Sequence, residues 1–243
     1  MSPAARGKIL DEAFQRAIDL DASLGEQLTA FADAARISSP DFAAAVDRLV
    51  DRLRLHGAGS SAPQVGEPMP SFVLPDDTGR MITLERLLQQ GSLAVTFHRG
   101  HWCPYCQINI NALAQAHNEV ASDGGQIVAI MPDRQKFAAE LKASSAIPFP
   151  ILTDVDNGYA MSLGLAIWVG AELQKLMEPL RNVPEFQGNS SWLLPIRATF
   201  VVGRDGVIKG RFIEPDYRRP IAIAQMLSAM RDTARGTASG QRP

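Results

Sequence analysis

Leu93-Ala94-Val95-Thr96-Phe97-His98-Arg99-Gly100-His101-Trp102-Cys103-Pro104-Tyr105-Cys106 is the stretch on which the reading of this chain turns. Residues 93–97 are a short apolar run rich in β-formers, the pattern of a buried strand. Beyond them the spacing turns helical, with Ile108, Ile110, Leu113 and Ala116-His117 recurring over two to three turns. Cys103 therefore falls where a strand ends and a helix begins. Pro104 suits the first helical position, where a missing N–H would have had no partner anyway. Both cysteines of the chain lie here, with two of its four histidines and one of its three tryptophans.

That placement has a chemical consequence. Unpaired N–H groups and the positive end of the helix dipole favour negative charge at a helix start. A free thiol has a pKa of about 8.5 and is only a few per cent ionised at neutral pH. Helix N-termini, nearby cations and the Cys-x-x-Cys spacing all lower it. A drop of two units requires only ~2.7 kcal/mol of preferential thiolate stabilisation. Arg99, His98 and His101 are expected to add to the helix effect. Cys103 is read as the nucleophile, and Cys106, one turn on, as the thiol that attacks whatever sulfur species Cys103 becomes.

The neighbours have two readings each. Trp102 walls the site or packs in the core, and Arg99 faces the thiolate or sits in an ion pair. His101 is a solvent-facing loop residue or a base; Tyr105 shields the cysteines or packs at the surface. Gly100 and Pro104 complete the expected pocket. His98, His101, Cys103 and Cys106 are also residue types that bind zinc. Because His98 ends the strand while the cysteines begin the helix, a tetrahedral cage is not expected, and neither metal nor organic cofactor is assigned.

At 243 residues the chain can bury a sizeable core. A net charge of -2 argues against nucleic acid or an anionic membrane as the main partner. No run approaches the 18 or so apolar residues of a membrane span. The N-terminal residues carry no apolar secretory core, so a cytoplasmic location is expected. Two cysteines in such a chain suggest redox or metal chemistry, not a structural disulfide framework.

Taken in order, residues 8–35 read as one helix, and Ser39-Pro40-Asp41 opens a second that stops by Gly57, with Ser39 as its cap. Residues 1–57 are thus expected to be a helical hairpin, acting as a cap on the main domain or as a dimer-forming arm. Residues 57–63, rich in Gly, Ser and Ala, read as a linker. Over 65–233, strands (71–74, 81–83, 93–97, 126–131) alternate with helical segments (the spacing of 108–117 after the cysteine turn, then 133–145, 159–163 and 172–180). Residues 184–189 read as loop, 198–202 and 207–213 as a hairpin, 218–233 as a last helix, and 234–243 as a disordered tail. This order describes an α/β sandwich with a mixed sheet.

From Val65 to about Leu227 the chain resembles the peroxiredoxin and thioredoxin-like proteins, in particular the peroxiredoxin-like branch of the alkyl hydroperoxide reductase/thiol-specific antioxidant family. The resemblance rests on residues 66–76 (Gly-Glu-Pro-Met-Pro-Ser-Phe-Val-Leu-Pro-Asp), on 98–106, on Phe149-Pro150-Ile151-Leu152-Thr153-Asp154 and on 197–206. It implies a thioredoxin-like three-layer sandwich with a mixed central sheet, to which the N-terminal helices are added. Where the family spaces a proline, a threonine and the cysteine as P-x-x-x-T-x-x-C, this chain has Thr96, Gly100 and Cys103. Cys-Pro-Tyr-Cys is also the tetrapeptide familiar from glutaredoxins, which favours disulfide exchange. Against this, aligning the Thr199-Phe200-Val201-Val202 strand puts Arg197 where peroxiredoxins carry a functional arginine and disulfide reductases a proline.

The resemblance implies a thiol peroxidase acting on hydrogen peroxide or organic hydroperoxides. Cys103 is oxidised to a sulfenic acid, Cys106 resolves it as a disulfide, and a thioredoxin-, glutaredoxin- or glutathione-type thiol restores the pair. Arg197 is the expected catalytic cation, and a homodimer the expected assembly. A thiol-disulfide oxidoreductase and a non-catalytic redox-sensing protein are the alternatives. Asp216-Tyr217-Arg218-Arg219 resembles a recurring segment of this branch and is expected to be a structural tie.

Overall fold

The computed structural model describes residues 3–239. It opens with α1 (Pro3–Asp19), α2 (Leu24–Ser38) and α3 (Pro40–Leu55). The single helix expected over 8–35 is two, because Ser23 starts a new one. Its hydroxyl accepts the Glu26 N–H while the Glu26 carboxylate accepts the Ser23 N–H, a reciprocal cap. The extension is therefore three helices and not a hairpin. Pro40 opens α3 as expected, but Ser39 makes no side-chain cap hydrogen bond.

β1 (Val73–Pro75) and β2 (Met81–Thr83) form a hairpin, and α4 (Leu84–Gln90) follows, capped by Thr83. Next come β3 (Ser92–Phe97), α5 (Pro104–Ser122), β4 (Gly125–Met131), α6 (Gln135–Ser144) and β5 (Ile151–Thr153). α7 (Gly158–Ser162), β6 (Ala166–Trp168), α8 (Ala171–Met177), α9 (Val183–Gln187) and β7 (Leu193–Pro195) make a long excursion. β8 (Arg197–Val202), β9 (Ile208–Glu214) and α10 (Ile223–Ser239) close the chain. Residues 184–187, read as loop, belong to α9, and the short β6–β7 pair was not legible in three-residue runs. α10 begins at Ile223, after Pro220, and extends to Ser239, through residues expected to be disordered. The rest of that expected tail, 240–243, lies outside the described residues.

The sheet order is β5-β4-β3-β8-β9, with β3, β4 and β5 parallel and β8 and β9 antiparallel to their neighbours. β3 lies at its centre, and every residue of it is buried, as a strand covered on both faces requires. Leu93, Val95 and Phe97 join one core cluster, while Ala94 joins Ile110, Leu113 and Met226 in the other. This is the mixed α/β, thioredoxin-like sandwich that the residues imply.

Leu28, Phe31, Val46 and Leu49 belong to the same cluster as Phe97 and Cys103, so the extension packs on its own chain. α2 lies against α5 and α3 against α8. Asp47–Arg218 at 2.6 Å and Arg48–Glu172 at 2.5 Å add ion pairs across that contact. Residues 57–63 are no loose tether either. Ala62 is buried, Arg211 Nε donates to the Pro63 carbonyl at 3.0 Å, and a side chain at Gly59 would collide with Ile213 and Ile196.

Candidate active site

β3 ends at Phe97, the next five residues turn, and Cys103 becomes the N-cap of α5, with Pro104 in the first turn. Gly100 makes this turn possible. Its φ of +141° suits only glycine, and a Cβ there would stand 2.5 Å from Trp102 Nε1 and 2.6 Å from Asp133 Oδ1. Asp133 is fully buried and takes the His101 N–H on Oδ2; burial pushes its pKa up to about 7. The turn thus has no room for a threonine side chain at Gly100.

The two cysteines are sharply unequal. Cys103 is 1% exposed. Burial opposes its ionisation, but hydrogen bonding from Cys106 and the Arg99 charge outweigh that and hold its pKa at about 7. Arg181 adds a smaller contribution of the same sign. Burial and the adjacent Cys103 charge push Cys106 the other way, well above the ordinary thiol value. Its Sγ takes the Arg99 backbone N–H at 3.4 Å. The pair therefore carries one thiolate, at the helix start, and one thiol a turn further on.

Arg99 is a buried cation whose guanidinium carbon lies 3.8 Å from the Tyr217 ring centroid and 5.3 Å from that of Trp102. It forms no ion pair with a carboxylate among the described residues. Burial disfavours its charge, yet Tyr217 and the two sulfurs keep its pKa above the ordinary value. Of the two readings of Arg99, the geometry matches the cation beside the thiolate.

Neither histidine takes the role expected of it. His98 is completely buried, its Nε2 is 3.1 Å from Thr96 Oγ1, and burial with the Arg197 charge lowers its pKa to about 3. His101 packs its ring against Phe137 and Phe186, and burial lowers its pKa as well. Both are neutral where Cys103 titrates. Among the described residues, no group of three His, Cys, Asp or Glu side chains gathers as a metal site.

Arg197 starts β8, one residue beyond the Phe97–Ala198 register pair, so it lies beside the end of β3. Its guanidinium donates to the Tyr217 and Asp216 carbonyls at 3.2 and 3.3 Å. Among the sulfurs, Cys106 supports its charge more strongly than Cys103 does. It does not line the cavity onto which Cys103 opens.

That cavity measures about 70 Å³. Arg99, Trp102, Cys103 and Tyr217 form its floor, and Leu10, Phe31, Ser39 and Phe42 of the extension face them. Met177, Leu180 and Arg181 close one side. Tyr105 is buried edge-on to Phe31 at 4.9 Å and to Tyr217 at 5.4 Å, so it locks the floor to the extension. Sequence reasoning missed Arg181, Phe31 and Phe42. The helical periodicity of the two phenylalanines signals burial but not the surface they face, and Arg181 lies in the loop between α8 and α9. Tyr217 lay in a segment singled out without a mechanism; its ring is the platform under Arg99.

No helix among the described residues is long and apolar enough to cross a membrane. Residues 65–211 match the family model described as the AhpC/TSA family. The thiol-disulfide oxidoreductase ResA of Bacillus subtilis is 31% identical over 101 residues, 41% of this chain and 55% of that protein, so the match spans about half its length. A putative peroxiredoxin, bcp, of Coxiella burnetii is 23% identical over 145 residues, 60% of this chain and 85% of its own. Among solved structures, the peroxidoxin BcpB of Mycobacterium tuberculosis superposes with a TM-score of 0.55 at 21% identity, over 70% of this chain and 97% of that one. The superposition speaks for the fold. The family match covers β3, the cysteine turn, β8 and the first part of β9 together, and on that span the chain belongs to the AhpC/TSA family, as a peroxiredoxin-like member of the thioredoxin-like superfamily.

Proposed function

We propose that this chain is a thiol-dependent peroxidase for hydrogen peroxide or organic hydroperoxides. The carrying observation is the inequality of the cysteines. Cys103, with a pKa of about 7, meets the cavity beside an Arg99 that pairs with no carboxylate among the described residues, while Cys106 is kept protonated. In this mechanism the Cys103 thiolate attacks the outer oxygen of the hydroperoxide, and the O–O bond breaks. Sulfur is oxidised to the sulfenic acid, and the departing oxygen takes a proton to leave as water or alcohol. Arg99 is placed to offset charge as it develops on that oxygen. Cys106 sulfur then displaces the sulfenic hydroxyl, its proton leaves with that hydroxyl as water, and a disulfide forms. Two thiols of a thioredoxin-, glutaredoxin- or glutathione-type donor are oxidised as they restore the pair.

The likeness to ResA supports a second reading, thiol-disulfide exchange on protein substrates. The nearly complete burial of both sulfurs bears on either reading alike, since a protein disulfide and a protein reductant must each reach one of them.

The test is stopped-flow tryptophan fluorescence of the reduced protein mixed with hydrogen peroxide, using Trp102 beside the reacting sulfur. A fast, concentration-dependent change that rises with pH through about 7 supports the peroxidase. A rate no better than that of an ordinary free thiol, together with rapid reduction of a protein disulfide, favours the second reading.

A further inference from the structure

Two residues of the active-site cavity, Ser39 and Trp102, carry a buried polar group with no hydrogen-bond partner among the described residues. Ser39 lines the cavity and is 4% exposed, and its hydroxyl has no hydrogen-bond partner among the described residues. It stands at the start of α3, where a serine ordinarily accepts an N–H of the first turn, yet that bond is not made. A buried hydroxyl without a partner is costly, and one that lines a cavity calls for an explanation, of which a bound molecule is one.

The surfaces around it are apolar and come from the same extension. Leu10, Phe31 and Phe42 line the cavity opposite Cys103, with Met177 and Leu180 at the side. These walls are held in place. Phe31 meets Tyr105 edge-on, Asp47 pairs with Arg218, and Asp11 lies 3.7 Å from Arg181 at the rim. One water needs roughly 10–15 Å³ by the measure that gives this cavity about 70 Å³. The space suits a molecule of a few heavy atoms.

We infer that Ser39, Phe31 and Phe42 form the substrate-binding half of the site, taking a hydroperoxide with a compact apolar substituent that packs on the two rings while the Ser39 hydroxyl bonds its polar end. This inference rests on the peroxidase reading for the reaction but not for the binding. The extension is then part of the active site. Its residues 3–55 lie outside the family match, so this selectivity belongs to the chain's own addition.

The test compares full-length wild type, Ser39→Ala and Phe42→Ala, with folding checked by circular dichroism. Ser39→Ala removes only an unpartnered hydroxyl and is expected to fold. The first readout is the ratio of oxidation rate constants for tert-butyl hydroperoxide and hydrogen peroxide. The second is binding of tert-butanol, the unreactive product, followed through the Trp102 indole N–H by NMR. We expect a ratio above tenfold in wild type, a fall of at least fivefold in each variant, and tert-butanol affinity weakened by a similar factor. Variants that leave both the ratio and the affinity within twofold of wild type overturn the inference. A wild type inert to both peroxides that still binds tert-butanol, more weakly in Ser39→Ala, sinks the peroxidase reading and leaves the binding site standing.

Discussion

The two halves of the cavity around Cys103 are built by opposite rules. The floor is compact in sequence: Arg99, Trp102 and Cys103 lie within five residues, on one turn between β3 and α5, and only Tyr217 comes from afar. It carries a cation, a thiolate and two rings. The roof comes from residues 10–42, is apolar except for Ser39, and reaches the floor only because three helices fold over it. The contrast separates reactivity from access. A lowered thiol pKa needs a few groups within a few ångströms, which one turn can supply. Shape around the reacting sulfur needs surfaces from more than one direction, and these are recruited from elsewhere in the chain.

If the floor alone is chemical, Cys103→Ser should abolish the peroxide-dependent fluorescence change while leaving the thermal midpoint near that of wild type. Phe31→Ala is the matching break in the roof. It removes a buried ring wedged against Tyr105 and should cost about 3–5 kcal/mol. For a chain of this length that lowers the midpoint by roughly 2–4 °C per kcal/mol, read by calorimetry.

Arg99→Ala sharpens the comparison within the floor. Without that cation the Cys103 titration, followed by thiolate absorbance, should move up by about one unit. The sign follows from the thiolate being the nucleophile. Wild type is about half ionised near pH 7, so the variant should react about fivefold more slowly there and match wild type well above pH 9. Arg197→Ala should move the same midpoint less, since its guanidinium is committed to two carbonyls and to the Cys106 side. A larger shift for Arg197→Ala than for Arg99→Ala would favour the assignment to Arg197 that the resemblance implies. Arg48→Ala removes an exposed pair between roof and body and should leave the urea denaturation midpoint essentially where it is in wild type.

Much of the floor was legible because its cues are local. A β-rich run, a helical period and a proline one residue after a cysteine locate the helix start without tertiary information, and Cys103 is the N-cap. The β8–β9 hairpin was legible for the same reason, through Gly203-Arg204-Asp205-Gly206. The charges beside the thiolate were not. His98 is a cation only if solvated, and whether the fold solvates it is no property of its neighbours in sequence. Ser39 shows the same limit: its N-cap position was correctly read, but the hydroxyl faces a cavity that does not exist until α3 meets the floor.

By itself, then, the amino-acid order determined the strand–cysteine–helix unit, the mixed α/β architecture and the placement of Cys103 and Cys106 one turn apart at the start of α5, because periodicity, capping and spacing act over a few residues. Only the tertiary structure decided that Arg99 shares a cavity with Cys103 while Arg197 does not, that the extension covers that cavity, and that Ser39, Phe31 and Phe42 line it. Those outcomes depend on desolvation and on packing between segments far apart in the chain, and both are settled when the surfaces meet.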